Sequence, residues 1–189
     1  MDSKFKNISM TGRLCYLFMC IEQYLTFCYS DKDWTIVSQK CWQWTNTYWN
    51  EGCDEYSKIV PCYLLEFDNY KETNERAFEG TLSQKEYHVL RKLYDNITSG
   101  DEKEEINQML LLPIALHHEC EGASFAHADK STLAILLKAE SILLRHHIPF
   151  PNIQKITFLS VEQKNGWGDF IESEFLSILE TIHKKKKSP

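Results

Sequence analysis

Apolar residues recur along most of this chain at steps of three and four, the period of a helix with one buried face. From Ser9 to Tyr29 the stripe is Met10, Leu14, Leu17, Ile21, Tyr24 and Cys28, widened by Phe18 and Leu25. That spacing predicts a core-facing first helix. Ser30 to Asp33 follows as a short polar turn offering carboxylate caps, so the first two helices are expected to be antiparallel neighbours. Asp31 to Trp49 then holds four of the five tryptophans, and Trp34, Val37, Cys41, Trp44 and Tyr48 share one helical face. Each aromatic ring buries roughly 150–250 Å², so this tryptophan helix is expected to be the hub of the domain. Trp42 and Trp49 fall beside the main stripe: either the helix is buried on two sides, or these rings border a groove. Gly52 suits the left-handed position that ends a helix.

Further along, Asp54 to Phe67 reads as a third helix, kinked or delayed by Pro61. Asp68 to Gly80 is polar and acidic, a surface helix or loop. Thr81 or Ser83 starts a clearer helix, since TLSQ and SQKE both have the form of capping boxes; it runs to Thr98-Ser99-Gly100. Asp101 to Glu105 suits the positive start of the next helix, whose apolar face continues through Ile106, Met109, Leu110 and Leu116, with Pro113 as a kink or break. Glu119 to Ala128 reads as a connection. Asp129 or Ser131 should cap a helix from Leu133 to His146, with Leu133, Leu136, Leu137, Leu143 and Leu144 on its buried face. Ile153 to Val161 is a short helix or an extended segment, Asn165 to Gly168 is a turn, and Asp169 caps a last helix carrying Ile171, Phe175, Ile178 and Ile182. The expectation is an all-α, single-domain bundle of seven or eight helices over residues 1–183, with 184–189 as a basic, frayed tail.

Composition narrows the class. Hydrophobic residues make up 43%, enough for a core, and only 7 Gly and 5 Pro leave little room for a turn-rich β fold. The net charge of −6 argues against general nucleic-acid binding, which needs a basic footprint. The charge is uneven: setting aside Lys184 to Lys187 takes the 21 basic residues to 17, against 27 acidic ones. Leu14 to Tyr29 is short for a membrane span and is interrupted by Glu22 and Gln23. The opening residues, MDSKFKNISM, do not form a signal peptide. Seven cysteines, odd in number and without a CxxC pair, fit a reducing compartment, the cytoplasm.

Candidate chemistry is sparse. His117, His118, Cys120 and His127 lie within eleven residues and mix metal-binding types, but the two adjacent histidines would point about 100° apart on a helix. His146 and His147 sit where a helix ends, favourable for the dipole alone. A Cys–His pair lacks any flanking nucleophile elbow, and no phosphate-binding glycine loop occurs. No catalytic residue, cofactor or metal is therefore expected. The acidic groups are Glu51, Asp54 and Glu55; Glu72, Glu75 and Glu79; and Asp101, Glu102, Glu104 and Glu105. They form either a solvated face or a patch that docks a basic partner. Trp167, between two glycines, either packs back on the core or anchors a partner.

The stretch Gly12 to Trp49, ending KCWQWTNTYW, with the late Asn-Gly-Trp-Gly turn at 165–168, resembles the all-α immunity proteins of bacterial polymorphic-toxin systems. The resemblance implies a small, cytoplasmic, non-enzymatic protein that binds and neutralises a cognate toxin, often a nuclease. It carries over no contact residues. The charge pattern supplies the candidate surface, Glu51, Asp54 and Glu55 with Asp101, Glu102, Glu104 and Glu105, set to cover a basic active site. Two alternatives stand beside it: a metal-dependent or Cys/His enzyme built on His117, His118, Cys120 and His127, and a helical regulatory or scaffold protein that binds a partner beside Trp42 and Trp49.

Overall fold

The computed structural model describes residues 3–76, 82–172 and 176–179, and these form an all-α bundle. Among them, eight α-helices run in chain order: α1 (Met10–Cys28), α2 (Thr35–Trp44), α3 (Trp49–Ser57), α4 (Pro61–Leu64), α5 (Tyr70–Arg76), α6 (Gln84–Tyr94), α7 (Glu105–Cys120) and α8 (Phe125–Arg145). Three single 3₁₀ turns, Ser3–Phe5, Ile153–Ile156 and Gln163–Gly166, complete the set. The only strand-like pairing among the described residues is an isolated bridge between Ile8 and Ser160.

The central element is α1, not the tryptophan helix. It is buried at 15 of its 19 positions and packs against α2, α7 and α8. A helix surrounded on all sides must satisfy its polar side chains internally. Arg13, fully buried, donates to the carbonyls of Phe5, Ile8 and Asp129, to the Thr132 hydroxyl at 2.7 Å and to the Asp129 carboxylate. Glu22, 1% exposed, accepts from the Ser38 hydroxyl, Trp42 Nε1 at 2.8 Å, the Ser177 hydroxyl at 2.7 Å and the Ile178 backbone N–H at 2.7 Å. It thereby ties α2 and the segment 176–179 to the core.

The expected tryptophan helix is two helices. It stops at Trp44, where Thr45-Asn46-Thr47 turns the chain. The Thr45 and Thr47 hydroxyls donate back to the Trp42 and Trp44 carbonyls, the local competition by which threonine ends a helix. Trp34 and Trp44 are buried as expected, but Tyr48, placed on the buried stripe by its spacing, is 71% exposed because the helical register ends before it. Gly52 does not terminate a helix; it lies inside α3. A Cβ there would sit 2.0 Å from Trp44 Cδ1, so the glycine is what lets α3 rest on the Trp44 ring.

Elsewhere the boundaries shift for identifiable reasons. Pro61 occupies the first turn of α4, where its missing N–H costs nothing. Helix α7 continues across Pro113 to Cys120. Helix α8 begins at Phe125, eight residues before the expected start, so Asp129 and Ser131 lie within it and do not cap it. Its buried face is Leu136 and Leu143, whereas Leu137 and Leu144 are exposed. The Ser83/Glu86 capping box is present as expected. Asp169 caps no helix among the described residues; two residues on, Ile171 donates its backbone N–H to the Thr45 carbonyl at 3.1 Å. Phe175, Ile182 and the basic run Lys184 to Lys187 lie outside the described residues. No helix among the described residues is long and apolar enough to cross a membrane.

Candidate protein-binding surface

Helices α3 and α4 run antiparallel to α7, and three hydrogen bonds fix that register. Asn50 Oδ1 lies 3.0 Å from His117 Nε2, the Tyr56 hydroxyl donates to the Leu110 carbonyl at 2.7 Å, and the Cys62 N–H donates to Asn107 Oδ1 at 2.9 Å. This arrangement decides which acidic residues share a surface. Glu51 and Asp54 stand at the C-terminal end of α7, near His117. Asp101, Glu102, Glu104 and Glu105 stand at its N-terminal end. Twelve residues of helix separate Glu105 from His117, about 18 Å at 1.5 Å per residue. The expected single surface is therefore two clusters.

Several of these carboxylates are already engaged within the chain. Glu55 pairs with Lys58 and, at 3.5 Å, with Lys40. Glu104 accepts from the Thr98 hydroxyl, the Ser99 N–H and the Ser99 hydroxyl, and the Thr98 bond above all holds its carboxyl below the usual range. Glu105 is clamped to Arg145 and His146. Burial tends to raise its pKa, but the bonds from those two side chains outweigh burial and leave it lowered. Asp101 Oδ1 accepts from the Lys103 N–H. Glu102 is exposed beside a shallow depression of about 350 Å³ lined by Lys103, Gln108, Leu111, Leu112 and Lys138. Glu51 and Asp54 are exposed, and no ion pair among the described residues engages them.

Around Glu51 and Asp54 the structure gathers aromatic groups that the periodicity did not assign to a surface. Trp49 is half-buried, its ring stacked on His117 at 6.1 Å between centroids and 20° between planes. Its backbone carbonyl accepts from Trp44 Nε1 at 3.0 Å. His117 itself is buried, and burial pulls its pKa below the ordinary imidazole value. Tyr48 meets Phe170 edge-on, 5.9 Å apart, and both are exposed. Trp42, by contrast, is buried on Glu22, so it borders no groove.

Phe170 is brought there by the loop before it. The Trp167 carbonyl accepts from both the N–H and the hydroxyl of Thr11 at 3.0 Å, and the Ile171 N–H reaches Thr45. Trp167 is half-buried against the core. Lys164 and Asn165 both hold left-handed backbone angles, φ +43° and +55°, followed by Gly166 at +96° and Gly168 at +87°. A Cβ on Gly168 would lie 2.5 Å from Ser9 Oγ, so that turn requires glycine. The sequence did carry a signal for this surface. Thr45-Asn46-Thr47 is a run of turn-forming residues, and it releases Tyr48 from the buried face.

The His117, His118, Cys120 and His127 group does not assemble. His117 is buried on α7 and bonded to Asn50, His118 is exposed, and His127 is exposed on α8. Among the described residues, no three His, Cys, Asp or Glu side chains are grouped so as to hold a metal ion. Burial pushes the Cys120 thiol up to about 12, the opposite of an activated nucleophile. All seven cysteines are unpaired, six of them buried.

The fold is an all-α bundle that presents exposed aromatics beside two carboxylates, Glu51 and Asp54, which no ion pair among the described residues engages. No known protein family, curated protein or solved structure matches the chain.

Proposed function

We propose that this chain is a non-enzymatic binding protein whose α3 face covers a basic surface on a protein partner. In the role implied by the resemblance to immunity proteins, that partner is a toxin, and covering its basic active site neutralises it. One observation carries the reading. Glu51 and Asp54, free of ion pairs among the described residues, stand beside exposed Tyr48 and half-buried Trp49 on a helix locked to α7. Carboxylates on such a surface steer a basic partner during encounter, while rigid aromatic side chains supply contact area at little entropic cost. Asp101 and Glu102, at the far end of α7, form at most a rim to that contact.

The test is association with a candidate toxin domain, sought first in the genes neighbouring this one. Glu51→Lys with Asp54→Lys should slow association by about tenfold or more at low salt and cost only about 1 kcal/mol of stability, through the first-turn position of Glu51 in α3, because no ion pair among the described residues engages either carboxylate. Association as fast as wild type in the double reversal would refute the assignment of the surface. Absence of any complex with the unmodified chain would refute the function.

A further inference from the structure

We propose that Tyr48 and Phe170 form a seat for a cationic side chain of a basic protein partner, and that Lys164 fills this seat in the free chain. The proposal rests on the partner-binding reading above. Phe170 is 52% exposed and Tyr48 71%, and the two rings meet edge-on. The Lys164 ammonium stands 4.9 Å from the Phe170 centroid and 3.3 Å from Asp169 Oδ1. An aromatic face backed by a carboxylate attracts a cation, and Lys164 shows the geometry in which this pair takes one. Glu51, three residues along from Tyr48 at the start of α3, adds negative charge one turn away. The complementary occupant is an arginine or lysine from a basic protein. Arginine suits it better, because its planar guanidinium stacks on a ring and meets a carboxylate at the same time.

The backbone explains how the seat is held. The Trp167 carbonyl is fixed by Thr11, the Gly168 N–H donates to the Gln163 carbonyl at 3.2 Å, and Ile171 is fixed to Thr45. Lys164 and Asn165 take left-handed angles that L residues rarely adopt. The segment therefore presents Phe170 in a fixed position, while Lys164, a side chain more than half exposed, can swing away. A partner cation that enters the seat must displace it.

The experiment titrates an oligo-arginine peptide into the full chain at low salt, following heat and the amide resonances around Tyr48 and Phe170. Lys164→Ala should tighten binding by about two- to fivefold, the range expected when a surface cation–π competitor is removed. Lys155→Ala, which removes an exposed lysine from another surface, controls for net charge and should change binding less. Phe170→Leu keeps the apolar bulk but loses the ring. It should weaken peptide binding several-fold and abolish the gain from Lys164→Ala, with an unchanged circular dichroism spectrum. The proposal is overturned if the peptide does not bind, if Phe170→Leu binds it as well as wild type, or if Lys164→Ala gains no more than Lys155→Ala. The toxin reading stands or falls separately. A toxin complex indifferent to Phe170→Leu removes the seat and keeps the function, and peptide binding at the seat with no toxin complex does the reverse.

Discussion

Replacing Gly52 by alanine tests whether α3 truly rests on Trp44. In an ordinary helix interior the change is favourable by about 0.5–1 kcal/mol, since alanine loses less backbone freedom on folding. Here the new methyl would meet Trp44 Cδ1 at 2.0 Å, Cγ at 2.5 Å and Nε1 at 2.7 Å. Carbon contacts settle near 3.5–4.0 Å, so the indole or α3 must move by about 1.5 Å. Overpacking of that kind costs roughly 1–3 kcal/mol. The displaced indole would also lose its bond to the Trp49 carbonyl, about another 1 kcal/mol or more for a buried donor left unpaired. After the helix gain is subtracted, the net loss is about 1–3 kcal/mol. At about 2–4 °C per kcal/mol for a chain this size, the melting temperature should fall by roughly 2–12 °C. Urea unfolding followed by circular dichroism measures it. The decisive comparison is the same substitution in a Trp44→Ala background, where all three clashing atoms are gone: there Gly52→Ala should be neutral or stabilising. A stability equal to wild type for the single variant would refute the packing, and so would an equal penalty in both backgrounds.

Three further outcomes follow from individual side chains. Glu22→Gln keeps the shape but turns one acceptor into a donor facing other donors, which should cost about 2–3 kcal/mol; hydrogen exchange should rise first at the Ile178 amide, and unchanged protection there would contradict the latch. Ser83→Ala removes half of a reciprocal cap and should lower stability by about 1 kcal/mol, read from the urea midpoint at constant slope. His117 is depressed by burial, so the unfolded chain takes up its proton near pH 6.5 while the native ring remains neutral to lower pH. The stability it contributes is complete above about pH 6.5 and is lost as the pH falls below that value; His117→Phe should flatten this part of the stability–pH curve, and an identical slope in both proteins would show that another group titrates.

The helix-rich architecture was legible because amphipathic spacing reports burial directly. The stripe of α1 and the Ser83/Glu86 box both translated into the observed elements. What spacing could not reveal was how far burial extends around a helix. The polar positions Arg13 and Glu22 argue for a solvent face on α1, yet each is enclosed by partners drawn from distant parts of the chain, Asp129 and Thr132 in one case, Ser177 and Ile178 in the other. Likewise, a period of 3.6 carries Tyr48 onto the buried face only while the helix persists, and the Thr45 and Thr47 hydroxyls end it.

The candidate surface was half legible for a related reason. Acidic runs can be counted along a chain, but whether two runs face the same partner depends on the pairing of the helices that carry them. The bonds from Asn50 to His117, Tyr56 to Leu110 and Cys62 to Asn107 set α3 and α4 antiparallel to α7, which sends the two runs to opposite ends of that helix. Their separation of about 18 Å is roughly twice the screening length at physiological salt, about 8 Å. The two clusters therefore do not act as one field on an approaching partner. The N-terminal cluster is also largely spent within the fold, on Thr98, Ser99, Arg145 and His146. Charge alone would rank the clusters the other way, since four carboxylates outnumber the three of Glu51, Asp54 and Glu55. What favours the end with fewer carboxylates for the proposed contact is that no ion pair among the described residues engages Glu51 or Asp54, and that Tyr48 and Trp49 adjoin them.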